Sequence, residues 1–234
     1  MTEKPPYHPS TEGAQMRFDG RMSYSDYLGL DMVLEAQKPR TDTHDEMLFI
    51  IQHQTSELWM RLVLHEMATA RRSIADGQLQ PAFKMLSRVA KIFEQLNNAW
   101  DVLRTMTPSE YTAFRDDLGQ SSGFQSWQYR LIEFTLGNRN HAMIQPHAHR
   151  PDIMAKLEAE LAQPSLYDVA IDALRTAGLL DVPAFKTREV TQAHIFDEGV
   201  MQAWTTVYRD PHAHWGLYEL AEKAYPEVPY VKVL

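Results

Sequence analysis

"HDEMLFIIQHQTSELWMRLVLHEMATARRSIAD", residues 44–76, contains neither proline nor glycine. Thr43 precedes it and Glu46 stands three residues on, the pattern of a capping box, while Gly77 supplies a stop. At about 100° per residue the apolar side chains fall into two stripes. Met47, Ile51, Leu58 and Leu62 form one; Phe49, Met60, Val63 and Met67 form the other, nearly opposite. A helix that is apolar on two sides belongs inside a bundle, so this stretch predicts a central helix buried along both stripes.

The flanking chain reads the same way. A second long helix is expected from Pro81 to Met106, and a short one opens with the capping box Thr107-Pro108-Ser109-Glu110. Further helices are expected over 123–136, 151–163, 166–177, 196–208 and 214–224, with Gly137 and Gly178 as stops. No segment alternates like a strand between hairpin turns. The expectation is an all-α protein: a loose arm over 1–20, then a single helical-bundle domain over 21–234.

Composition narrows the function. The chain has 234 residues, is 44% hydrophobic and 23% charged, and carries a formal charge of −8. That balance argues against a nucleic-acid partner, which needs a basic face, but leaves room for a small anionic substrate held by one or two local cations. With no cysteine, disulfides, thiolate nucleophiles and thiolate-held metals or clusters are excluded. The first residues lack the apolar stretch of a signal peptide, and the longest apolar run, "MLFII", is too short for a bilayer. The expectation is a soluble, cytoplasmic protein without a membrane partner.

Gly119-Gln120-Ser121-Ser122-Gly123 matches the G-x-S-x-G pattern of a hydrolase nucleophile elbow. An elbow needs a strand before its serine, and here a capped helix precedes it, so Ser121 is not read as a nucleophile. Ser122, with Gln125 three residues on, reads as the N-cap of the following helix. Tyr111, Arg115 and Leu118 share one helix face directed at this loop. An arginine beside a helix N-terminus suits a carboxylate, which makes the loop an anion clamp.

Ten histidines invite a metal search. There is no H-E-x-x-H and no Glu-x-x-His, which removes zincins and ferritin-type di-iron bundles. His147 and His149 read as loop or capping residues before ligands, and so do His212 and His214. His53 is different, because it lies with Ser56 inside the second apolar stripe. A core histidine is the bland reading; with Arg115, a pocket of apolar walls and a few convergent polar groups is the other.

These stretches together resemble the tryptophan 2,3-dioxygenase family: "MSYSDYLGLDMVLEAQKP" (22–39), residues 44–67, "FRDDLGQSSGFQSWQYR" (114–130), "LGNRN" with "HAH" (136–149) and "WGLYELAEK" (215–223). The resemblance implies an all-α, homotetrameric, haem b oxidoreductase of the kynurenine route of tryptophan catabolism. Its substrates would be L-tryptophan and O2, and its product N-formylkynurenine. It implies that His53 is the distal histidine facing the indole N–H, that Phe49 and Trp100 are pocket walls, and that Arg115 pairs with the substrate carboxylate beside Tyr111. Ser122 and Gly123 would lie against the haem, and Tyr24, Tyr27 and Leu28 would complete a neighbouring subunit's site. The family's proximal haem histidine, and a Gly/Thr-rich loop, come after "YELAEK". Here "AYPEVPYVKVL" follows Lys223 with neither histidine nor glycine, so the metal ligand is unassigned. A second reading follows from that tail: a divergent or truncated relative that binds an aromatic amino acid without haem catalysis. The intact set Phe49, His53, Trp100, Arg115 and Ser122 favours the enzyme.

Overall fold

The computed structural model describes residues 9–180 and 189–224, and among these every regular element is helical. Two short helices, α1 (Tyr24–Leu28) and α2 (Leu30–Leu34), meet at Gly29, whose φ of 61° suits glycine. They lead into α3 (His44–Ala75), which is about 48 Å long at 1.5 Å per residue. Then follow α4 (Leu79–Leu103), α5 (Pro108–Arg115), α6 (Trp127–Leu136), α7 (Pro151–Leu161), α8 (Leu166–Thr176), α9 (Glu198–Arg209) and α10 (Trp215–Ala224). The expected arm's first eight residues, and the run beyond Ala224, lie outside the described residues.

α3 packs antiparallel to α4 and also touches α5, α6 and α8. Met60, Val63, Met67, Ala70 and Ile74 of α3 meet Ala82, Phe83, Leu86, Val89 and Ile92 of α4, both sets at helical spacing. α8, α9 and α10 close this core with Leu174, Val207 and Leu220 among others. A second cluster, Phe134, Ile144, Ile153, Leu157 and Leu161, joins α6 to α7. Arg139 is buried, and its two Nη atoms donate to the carbonyls of Glu160, Leu161 and Gln163 at 3.0, 2.9 and 2.7 Å. These carbonyls lie at and just beyond the C-terminal end of α7, where a cation is favoured by the helix dipole. Arg71 of α3 reaches the Glu160 carboxylate as well.

Three expectations are corrected. Thr43 is the N-cap of α3, but its side chain makes no capping bond; Glu46 reaches past it to Arg40 and Thr41. The helix expected over 123–136 is a 3-10 turn, Gly123–Gln125, followed by α6, because Ser126 accepts from the Tyr129 N–H and restarts the chain at Trp127. And α3 is not buried on both stripes: the second is covered, whereas Met47, Ile51 and Leu58 of the first are exposed. The same end of the bundle exposes Trp59, Trp100, Val102 and Phe124.

Candidate active site

The site is built on α3. His53 and Phe49 stand one turn apart, with ring centroids separated by 4.1 Å. His53 Nδ1 lies 2.7 Å from the Phe49 carbonyl. A carbonyl only accepts, so in the neutral ring Nδ1 carries the proton and Nε2 is left as an acceptor. Ser56, which shares the stripe, spends its hydroxyl on the Gln52 carbonyl at 2.9 Å.

α5 lies across this part of α3. Its capping box is formed: Thr107 accepts from the Glu110 N–H, and Glu110 accepts from the Thr107 N–H at 2.7 Å. The Thr107 N–H, and after it the Thr107 hydroxyl donating at 2.8 Å, hold the Glu110 carboxyl below its ordinary range. The helix is pinned by Phe114, which has no exposed surface. The Phe114 ring meets Phe49 and Tyr111 edge-on, 5.5 Å from each, and Tyr111 is 5.8 Å from Phe49. Phe49, His53, Tyr111 and Phe114 thus make one aromatic wall. Phe114 was not singled out in the sequence; its spacing of three from Tyr111 was the available signal.

Arg115 follows Phe114 directly and is half-buried. One Nη donates to the Gly119 carbonyl at 2.9 Å, and no described carboxylate pairs with it. The rest of its donor fork is uncommitted. In the adjoining loop Ser121 is exposed and donates to the Leu118 carbonyl at 2.6 Å. Among the described residues a helix and a 3-10 turn, not a strand, precede it, and its hydroxyl bond goes to a backbone carbonyl. Ser122 caps the 3-10 turn, accepting from the Phe124 N–H at 3.3 Å. A side chain on Gly123 would meet nothing within 4 Å, so the turn borders open space.

Other expected residues are not in this wall. Trp100 stands on the exposed last turn of α4, and Tyr24, Tyr27 and Leu28 on α1, in the segment of residues 22–43 that with α1 and α2 makes an exposed arm at the start of the bundle domain. Arg130 of α6 was not anticipated: it is buried, paired with Glu133 at 2.6 Å, and lies over the Phe124 and Tyr129 rings at 5.2 and 4.8 Å. His147, expected as a solvated loop residue, is buried instead, while His149 is exposed. Burial first, then the His149 and Arg130 charges, pushes the His147 pKa down. His214 borders a cleft of about 570 Å³ with Ile74 and Leu79, at the end of α3 remote from His53. Twenty-one residues of helix separate His53 from Ile74, roughly 30 Å, so neither His214 nor its neighbour His212 belongs to the aromatic wall. Among the described residues no group of three His, Cys, Asp or Glu side chains forms a metal site. No described helix is long and apolar enough to cross a membrane.

An all-α scaffold presenting an aromatic wall, one histidine acceptor and one arginine with uncommitted donors has the make-up of a small-molecule site, apolar walls with a few polar groups. The family model described as tryptophan 2,3-dioxygenase matches residues 9–206, and the chain belongs to that family. It is 63% identical to the tryptophan 2,3-dioxygenase of Bradyrhizobium diazoefficiens over 217 residues, 93% of this chain and 78% of the relative. The corresponding enzyme of Ruegeria pomeroyi is 59% identical over 219 residues, again 93% and 78% of the two chains. That of Pseudomonas fluorescens is 56% identical over 210 residues, 90% and 74%.

Proposed function

We infer that this chain catalyses the tryptophan 2,3-dioxygenase reaction: both atoms of O2 are added across the indole C2–C3 bond of L-tryptophan, giving N-formylkynurenine. The observation that carries the reading from this structure is the pairing of an acceptor and a cation at the aromatic wall. The indole N–H is a donor, and His53 Nε2 is the acceptor available to it. The substrate carboxylate needs a fork of donors, and the uncommitted part of the Arg115 guanidinium provides one. Phe49 and Tyr111 give the indole an apolar surface, with the buried Phe114 ring packed behind them.

The family implies haem b. An exposed Ser122–Gly123 turn with open space over Gly123, and the exposed Phe124 ring next to it, support a flat apolar macrocycle lying there. Bound haem would activate O2 there. The chain's own residues bind and orient the substrate: Arg115 fixes its carboxylate end, and His53 fixes the indole by its N–H. The exposed apolar side chains of the arm and of the site end of α3 and α4 are the reason to read the working form as a homotetramer in which Tyr24, Tyr27 and Leu28 cross to a neighbour. We place it in the cytoplasm.

The test titrates tryptophan against tryptamine, which lacks the carboxylate, in wild type and Arg115→Ala. Wild type should prefer tryptophan, and the substitution should remove about 2–4 kcal/mol of tryptophan binding while leaving tryptamine little changed. Lys should restore only part of it. Equal binding of both ligands by wild type would refute the carboxylate role. A Soret band in the purified protein tests the haem.

A further inference from the structure

We propose that Glu46 and Gln54 are positioning residues that clasp the N-terminal arm onto the helix carrying Phe49 and His53, and so set the arm for the neighbouring site. The proposal rests on the reading that the arm crosses between subunits.

Little of the arm's apolar surface is covered by its own chain: neither α1 nor α2 contributes a buried residue, and of their apolar side chains only Leu30 is half-buried. The side-chain hydrogen bonds that join residues 22–43 to the body come from two residues of α3. Glu46 is almost fully buried, and its two oxygens accept from the Arg40 N–H at 2.8 Å, the Thr41 N–H at 2.8 Å and the Thr41 hydroxyl at 2.7 Å. The Thr41 hydroxyl in turn accepts from the Thr43 N–H at 3.2 Å. Two turns on, Gln54 accepts from Gln37 Nε2 at 2.5 Å and donates to the Ala36 carbonyl at 3.2 Å. Gln37 also donates to the Val33 carbonyl at 3.0 Å, which ties the end of α2 into the same clasp.

A glutamate at the third position of a helix ordinarily bonds back to its own cap. Here the cap goes without, and both oxygens serve residues outside the helix. Hydrogen bonds to an ionised acceptor are the stronger kind, and they hold the Glu46 carboxyl in its charged form. Glu46, Ile50 and Gln54 recur at i, i+4 and i+8, so they share one face of α3, and Phe49 and His53 lie on the adjoining face. The arm is therefore fixed to the same turns of helix that present the aromatic wall. A clasp of this kind acts on binding: it removes the cost of ordering the arm each time substrate enters.

The experiment compares wild type with Glu46→Gln and with Gln54→Leu, the second serving if the first does not fold. Light scattering establishes the oligomer for each. Both variants should raise KM for tryptophan by about tenfold while kcat stays within about threefold. Unchanged KM in both overturns the proposal. Each variant is then co-expressed with Arg115→Ala subunits, whose own sites fail but whose arms are intact. The mixed oligomers should recover the wild-type KM, because intact arms reach the clasp variants' sites. A Tyr27→Ala control goes through the same mixing. If Tyr27→Ala recovers and the clasp variants do not, the clasp assignment is overturned alone. If Tyr27→Ala does not recover either, the crossing of the arm is wrong and the proposal falls with it.

Discussion

Replacing Phe114 by alanine tests the attachment of α5. The ring is fully buried and meets Phe49 and Tyr111 edge-on. Truncating a buried phenylalanine costs about 3–5 kcal/mol, and edge-on ring pairs add about 0.5–1.5 kcal/mol each beyond burial. With two such pairs lost in addition, we expect a value at the upper end of that range, about 5 kcal/mol, a large share of the roughly 5–15 kcal/mol that holds a domain together. Phe114→Leu retains apolar bulk and should cost only about 1–2 kcal/mol. The functional effect follows from the length of α5. Eight residues do not hold a helix without packing, and Arg115 is the next residue in the chain. Loosening Phe114 therefore displaces the guanidinium. Phe114→Leu should weaken tryptophan binding more than tryptamine binding. Urea unfolding followed by circular dichroism, at one protein concentration throughout, gives the stability, and parallel titrations give the selectivity. A loss below about 1 kcal/mol for Phe114→Ala, or an equal effect of Phe114→Leu on both ligands, would refute the reasoning.

Ser121→Ala should leave activity near wild type and the protein unlabelled by a fluorophosphonate probe, since the hydroxyl bonds only the exposed Leu118 carbonyl; Ser122→Ala should cost about 0.5–1 kcal/mol as a lost cap. His147 should make stability fall as pH drops from 7 toward 5. Its folded pKa is depressed, so the unfolded chain takes up the proton first near the ordinary histidine value and acid favours unfolding. Urea melts at the two pH values should show a smaller loss in His147→Leu, and an unchanged loss would contradict the assignment.

The helical class was readable because α3 has no breaker over its length and its ends carry a cap residue and a glycine. Phe49 and His53 were readable as neighbours because i, i+4 side chains meet on any helix. What was not readable is non-local. Thr43-x-x-Glu46 matches a capping box letter for letter, yet a strap from residues 40–41 competes for the carboxylate and wins. Ser122 and Ser126 both fit a cap, and spacing alone does not separate a 3-10 turn from a first helical turn. Periodicity found the stripe Met47–Ile51–Leu58 but does not say whether its own chain covers it. That Phe114 closes the wall depends on α5 folding back on α3, which no local pattern encodes. His147 looked like a loop residue because Pro146 flanks it; it ends a 3-10 turn, His141–His147, that packs against α6 and α7, and there it is buried.

The uneven cover along α3 has a consequence for how a single subunit opens. From Met60 to Ile74 the apolar face of the helix is buried in the main core, so amides there should exchange with solvent only when the whole domain unfolds. Toward His44 the helix is covered on one side by α5 and a polar strap, and neither helix of the arm beyond it contributes a buried residue. Local openings concentrate at that end, and a protease would cut the arm and the 116–126 loop while the α3–α4–α8–α10 core was still intact. The part of the chain proposed to meet substrate is thus the part expected to open first, and whatever covers it stabilises the fold and the site together.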